Sequence, residues 1–195
     1  MIRNIFLFWM FIGLVGCIDT GKNSFKSTDI TGADWGASFN LTDHNGQKRT
    51  LDDFKGKVVV LFFGFTHCPD VCPTTLTKLS EVMRLLKEDG KRVQVLFVTA
   101  DPERDNAKVL KDYVTSFHAD FLGLYTDLVS TNKMIAQFKA FSEKTGNKTP
   151  DTYMMNHSTF TYVYDSAGRI RLMINSDMEA SQIVEDLHTL LKDKL

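Results

Sequence analysis

The stretch from Lys57 to Leu76, "KVVVLFFGFTHCPDVCPTTL", decides how the rest of the chain is read. Its opening run, Lys57–Phe65, is almost continuously apolar and rich in β-branched side chains, which predicts a strand buried on both faces. After Pro73 the pattern changes. Leu76, Leu79, Val82, Met83 and Leu86 recur at helical spacing, and Gly90 supplies a stop. Proline suits the first position of a helix, where its missing N–H costs nothing. Cys72 is therefore expected at the helix cap and Cys68 one loop turn earlier, both near the positive end of the helix dipole. Thiolate is favoured there, and thiolate is both the nucleophile and the metal ligand.

The alternation of strand and helix continues outward from this turn. "VQVLFVTA" (Val93–Ala100) predicts a second buried strand, "RDNAKVLKDYVTSF" (Arg104–Phe117) a helix, and "FLGLY" (Phe121–Tyr125) a short third strand. "TNKMIAQFKAFSEKTG" (Thr131–Gly146) reads as another helix with a glycine stop. "STFTYVY" (Ser158–Tyr164) and "RIRLMI" (Arg169–Ile174) read as strands joined by a hairpin at Asp165–Gly168, and an amphipathic helix from Glu179 to about Leu191 closes the chain. Upstream, "SFNLTDHNGQKRTL" (Ser38–Leu51) is two short segments about Asn45-Gly46, a strong hairpin signal. Strand–helix–strand units need parallel strands and right-handed crossovers, whereas the closing hairpin adds antiparallel ones. The order predicts an α/β protein of thioredoxin-like fold, with a mixed central sheet and an N-terminal β-hairpin, in one domain over residues 33–195.

The front of the chain reads differently. "MIRNIFLFWMFIGLVGC" has one early cation, Arg3, then an apolar run from Ile5 to Val15. A bilayer-crossing helix needs roughly 20 apolar residues; this run has the length of a signal-peptide core. Leu14-Val15-Gly16-Cys17 resembles the lipobox of bacterial lipoproteins, in which the cysteine is lipidated and becomes the new N-terminus. Residues 1–16 are read as a signal peptide, Cys17 as the lipidation site, and residues 17–32 as a flexible, polar tether. An uncleaved anchor helix or a general secretory signal are the alternatives, and all three put the domain outside the cytoplasm. The expected location is extracytoplasmic, lipid-anchored to the cell membrane on its periplasmic side. About 15 tether residues give a mean reach of roughly 20 Å, so the domain works close to the membrane face. The 195 residues carry 23 basic and 24 acidic side chains, and this near-neutral balance leaves no electrostatic footprint for nucleic acid.

With Cys17 assigned to lipid, Cys68 and Cys72 form the remaining pair, in a compartment where a disulfide is the default unless something reduces it. Three residues, Pro69-Asp70-Val71, separate them, one more than in a thioredoxin dithiol. The longer loop still closes a disulfide, and it also lets both sulfurs face one ion. Two thiolates are a soft donor set that suits copper(I). A purely structural staple is less attractive, because so small a loop gains little from closure.

Phe63-Gly-Phe-Thr-His-Cys-Pro-Asp-Val-Cys-Pro73, "TADPERD" (Thr99–Asp105) and "NHSTFTYVYDSAGRI" (Asn156–Ile170) together resemble the Sco/SenC family. These are thioredoxin-fold, membrane-tethered proteins implicated in delivering copper to cytochrome c oxidase. The resemblance implies a copper site at Cys68, Cys72 and His157, holding one ion as copper(I) or copper(II). It departs from the family at Asn156, where an acidic residue often precedes the histidine. The implied function is a copper metallochaperone rather than a turnover enzyme. Its partners are the copper-site subunit of the oxidase, other copper carriers or thiol reductants, and the membrane. The alternative is a tethered thiol–disulfide oxidoreductase using Cys68 and Cys72 as a redox pair. Peroxide reduction is a third option, disfavoured because neither "TKLS" nor "THCP" supplies the usual Thr-x-x-Cys. Around the site, His67 is a candidate neighbour that tunes Cys68. Asp70 reads as a solvated loop residue, Asp101 as the cap of the "PERDNAKV" helix, and His44, His118 and His188 as surface residues. Met154 and Met155, adjacent in extended backbone, point to opposite faces and cannot chelate together.

The lipobox reading has a direct check. Cys17→Ser should block lipidation and leave the protein unprocessed or released. Mass spectrometry of the mature N-terminus decides it, since an unacylated terminus at another residue removes the claim.

Overall fold

The computed structural model describes residues 25–146, 149 and 152–192. Along the described chain the strands are β1 (Thr28–Asp29), β2 (Asn40–Asp43), β3 (Lys48–Thr50), β4 (Val58–Gly64), β5 (Val93–Thr99), β6 (Leu122–Tyr125), β7 (Ser142–Thr145), β8 (Met154–His157), β9 (Thr161–Tyr164) and β10 (Ile170–Ile174). The α-helices are α1 (Val71–Leu86), α2 (Ala107–Phe117), α3 (Leu128–Gln137) and α4 (Ala180–Lys192). Eight strands form one sheet in the order β1-β10-β9-β4-β5-β6-β2-β3, and β7 pairs with β8 in a separate hairpin. β4, β5 and β6 run parallel, while β9 lies antiparallel against β4. This is the expected mixed sheet, with the β2–β3 hairpin at its far edge.

The period-two geometry of β4 divides the core. Val58, Val60 and Phe62 face one way, onto Leu76, Leu79 and Val82 of α1, Leu110 of α2 and Leu187 of α4. Val59, Leu61 and Phe63 face the other way, onto Met134 and Ile135 of α3, Phe138, Tyr162 and Tyr164. Every residue of β4 and β5 is buried. At about 1.5–3 kcal/mol for each large apolar side chain buried, these two strands contribute much of the folding drive. The β2–β3 turn forms where Asn45-Gly46 predicted it. Asp43 Oδ1 accepts from the amides of Asn45 and Gln47 at 2.8 and 2.9 Å, Asp43 Oδ2 accepts from Arg49 Nε at 2.8 Å, and Gly46 takes φ +82°.

Three elements differ from the sequence reading. The helix expected over Thr131–Gly146 ends at Gln137, and Ser142–Thr145 is a strand. Lys139 adopts φ +54° just beyond the helix, so the stop is made without glycine; Gly146 instead follows β7, at φ +79°. The helix α1 begins at Val71, which puts Cys72 and Pro73 inside its first turn rather than Cys72 at the cap. Residues 25–32, read as the end of a tether, belong to the domain. Thr28 and Asp29 pair with Met173 and Leu172. Asp186 accepts from the amides of Lys26 and Ser27 at 2.7 and 2.8 Å and from Ser27 Oγ at 2.6 Å. This segment looked solvated because its partner carboxylate lies some 160 residues away in the chain. Residues 1–24, including the signal, Cys17 and most of the tether, lie outside the described residues.

Asp186 is therefore the anchor of the N-terminal segment. Replacing it with Ala should destabilise the domain by about 2–3 kcal/mol, the loss of several charge-assisted bonds. Urea unfolding checks the magnitude, and limited proteolysis should then cut near Lys26.

Candidate metal centre

The end of β4 opens directly into the site. Cys68 lies in the loop after the strand, partly exposed, and its amide donates to Phe65 O at 3.2 Å. Cys72, in the first turn of α1, is fully buried. Its backbone N–H donates to Cys68 Sγ at 3.5 Å, so a thiol sulfur takes a place at the helix N-terminus, where the local field favours negative charge. Both cysteines are free thiols. Gly64 leaves room for them: a Cβ there would lie 2.6 Å from the Phe97 ring and 3.0 Å from Cys72 Sγ.

The third side chain comes from the opposite direction. His157 is the last residue of β8, its ring edge-on to Phe65 at 5.7 Å and Phe62 at 6.3 Å between centroids. Nδ1 lies 2.8 Å from Ser158 O. A carbonyl only accepts, so Nδ1 carries the proton and Nε2 presents a lone pair, 3.5 Å from Cys72 Sγ. The two sulfurs and this ring nitrogen all lie within 4.8 Å of one another. Ligands about 2.0–2.3 Å from a shared ion stand roughly 3.5–4.5 Å apart, so the cluster is close to metal-binding spacing. Two sulfurs and one imidazole suit a soft or borderline ion such as copper.

Electrostatics differs from the simple helix-dipole expectation. Burial pushes the Cys72 thiol well above its ordinary range, and a Phe65 backbone hydrogen bond only partly offsets this. Desolvation outweighs the dipole, and Cys72 holds its proton at neutral pH until something replaces it. Burial also lowers the His157 pKa, against a smaller opposing effect from its bond to Ser158, so the ring is neutral at pH 7.

The remaining sequence candidates stay outside this cluster. His67 is exposed, with Nδ1 3.1 Å from Thr66 Oγ1 and 3.8 Å from Asp105 Oδ1. Asp70 is exposed. Met155 packs on the core while Met154 faces outward, and Asn156, also outward, stands opposite Glu143 across the hairpin. Asp101 is not a helix cap: Asn106 caps α2, and Asp101 accepts from Tyr153 and Arg104 in the interior. His44 is buried rather than superficial, its Nδ1 accepting from Gly123 N at 3.1 Å. Sequence reasoning missed Asp105, whose buried carboxylate accepts from Thr66 N, Thr66 Oγ1 and Thr99 Oγ1 at 3.0, 2.6 and 2.7 Å and so pins the loop leading to Cys68. Its signal was present in "TADPERD", where a further acid follows soon after β5, but its loop partner Thr66 lies 39 residues away in the sequence.

The SCO1/SenC family model matches residues 27–192. The chain belongs to the SCO1/SenC family. A SCO2-like protein of Rickettsia prowazekii is 35% identical over 151 residues, spanning 77% of this chain and 74% of its own. The mitochondrial SCO2 protein of Saccharomyces cerevisiae is 38% identical over 154 residues, 78% of this chain and 51% of that one. Among solved structures, Bradyrhizobium japonicum ScoI with copper bound is 38% identical, with a TM-score of 0.74 over 82% of this chain and all of that one. Yeast Sco1 with copper bound is 30% identical at a TM-score of 0.74, covering 81% and 88%. In this chain two thiols and an imidazole converge at the end of β4.

The neutral, buried His157 has a pH signature. Its folded pKa lies below its unfolded value of about 6.5, so the unfolded chain takes up a proton first as pH falls. The reduced, metal-free protein should lose stability from about pH 6.5 downward, and His157→Gln should partly flatten that limb. His44, also lowered by burial, contributes with the same sign. Urea unfolding between pH 7.5 and 5 measures both.

Proposed function

We propose that this protein is a copper metallochaperone, tethered to the membrane, that carries one copper ion on Cys68, Cys72 and His157 to the copper site of a cytochrome c oxidase. The observation that carries the reading is the convergence of two thiol sulfurs and an unprotonated ring nitrogen within 4.8 Å. Membership of a family with copper-bound structures supports it. Loading replaces the Cys72 proton by the ion, so copper uptake releases protons and strengthens with rising pH. Release proceeds by ligand exchange. An incoming thiolate from the acceptor reaches the ion on the side of partly exposed Cys68, that sulfur leaves first, and buried Cys72 lets go last. No electron moves in this exchange. Copper(I) is satisfied by two thiolates, whereas copper(II) prefers an added nitrogen donor.

A thiol–disulfide exchange role uses the same cysteines but does not need the histidine. Such exchange requires an attacking thiolate, its partner and access. His157→Ala should weaken copper(II) binding severely and copper(I) binding mildly, while exchange at Cys68 and Cys72 changes by less than about tenfold, near 1.4 kcal/mol in the barrier. Oxidase activity in cells carrying the variant should fall. If oxidase assembly survives His157→Ala yet fails in Cys68→Ser and Cys72→Ser, the reductase replaces the chaperone.

A further inference from the structure

The hairpin that brings His157 to the thiols is not hydrogen-bonded into the eight-stranded sheet. Its place beside β4 depends on side chains. At the base, the Ser158 amide donates to Phe141 O, and the Phe141 amide donates to Ser158 Oγ, both at 3.0 Å. Towards the tip, Tyr153 directly precedes β8 and is buried. Its hydroxyl donates to Asp101 Oδ1 at 2.6 Å, and Asp101 is itself buried just beyond the end of β5. Arg104 closes the group. Its Nε donates to Asp101 Oδ2, its Nη1 donates to Tyr153 O at 3.1 Å, and its guanidinium lies 3.6 Å over the Tyr153 ring. Lys144 of β7 reaches the same ring at 4.6 Å and pairs with Glu103.

Side chains two apart on a strand share a face. Tyr153, just before β8, thus shares the inward face with Met155 and His157, while Met154 and Asn156 are exposed. Tyr153 is held by Asp101 and Arg104, Met155 by the core, and His157 by two phenylalanine rings and Ser158. Arg104 Nη2 is buried without a partner among the described residues. An unpaired buried donor weakens the fold, so stability alone does not account for the cluster.

We propose that Asp101, Arg104 and Tyr153 are positioning residues for His157: by clamping the inward row of β8 against the end of β5 they set the distance of its imidazole from Cys68 and Cys72, and with it the preference for copper(II) over copper(I). The proposal rests on the copper reading above. Both thiols lie at the β4–α1 junction, which is braced by Asp105. The side chains of Asp101, Arg104 and Tyr153 instead bond among themselves and to the backbone at the start of β8, so loosening the clamp withdraws one donor and leaves two. Copper(I) keeps its thiolates, and copper(II) loses its nitrogen.

Tyr153→Phe tests this in the full chain in detergent, because it removes one hydroxyl and keeps the ring under Arg104. Copper(II) affinity should fall about tenfold, the scale seen when a partner that orients a metal ligand is lost, while copper(I) affinity changes less than about twofold. Nitrogen hyperfine structure in the copper(II) paramagnetic resonance spectrum should weaken. In the metal-free protein, amide exchange in β7 and β8 should quicken with β4 and β5 unchanged. Equal losses for the two oxidation states, or unaltered exchange in β8, overturn the proposal. His157→Ala measured alongside separates the two claims. If it leaves copper(II) binding intact, the ligand reading fails, whereas an effect of His157→Ala with none of Tyr153→Phe removes only the clamp.

Discussion

The parallel pairing of β4 with β5 is the constraint on which the rest of the molecule depends. Seven residue pairs run in register from Val58 opposite Val93 to Gly64 opposite Thr99, with both strands buried throughout. Ala100 N–H then donates to Gly64 O at 2.7 Å, tying the strand ends together. Parallel strands share a carboxyl end, and there the chain must leave the sheet in loops. The loop after β4 carries the thiols, and the turn after β5 carries Asp101, Arg104 and Asp105. Those two loops are neighbours only because the two strands are. Asp105 can brace Thr66 across 39 residues of sequence for that reason alone.

Burial then decides the chemistry. Had Cys72 stayed at an exposed helix cap, the dipole would favour thiolate. Inside the first turn, against Gly64 and Phe97, the sulfur has lost its water, and the neutral thiol prevails. His157 responds to the same desolvation by shedding its proton. The pair, 3.5 Å apart, is therefore uncharged when empty, which avoids isolated charge in an apolar wall. A cation that displaces the thiol proton supplies the compensation that water no longer gives.

The sequence was most legible where local pattern and tertiary environment agree. The apolar, β-branched runs at Val58–Gly64 and Val93–Thr99 became buried parallel strands, and Asn45-Gly46 became a turn. The thiol pair and His157 were picked out by motif and by resemblance, and they do stand together. What misled was geometry without a local signature. Lys139 ends α3 in a left-handed conformation that no glycine announces, so β7 was hidden inside an apparent helix. Asp101 looked like a cap because its true partner, Tyr153, is 52 residues away. Ser27 looked solvated because Asp186 lies near the other end of the chain. Polar residues buried by distant partners are the recurring blind spot, since their type is equally at home on a surface.

The two outermost strands of the sheet have a bearing on how copies of the molecule meet. β1 has two residues and ends in Asp29; β3 is Lys48-Arg49-Thr50. A long edge with unpaired amides is a template on which another chain adds a strand, and brevity and charge both blunt it. The central strands are just the apolar, β-rich type that would aggregate if they stood at an edge. Here they lie inside the sheet, between β9 and β6, and the sheet ends on each side in a short, polar strand, so self-association by strand addition is suppressed in the folded state.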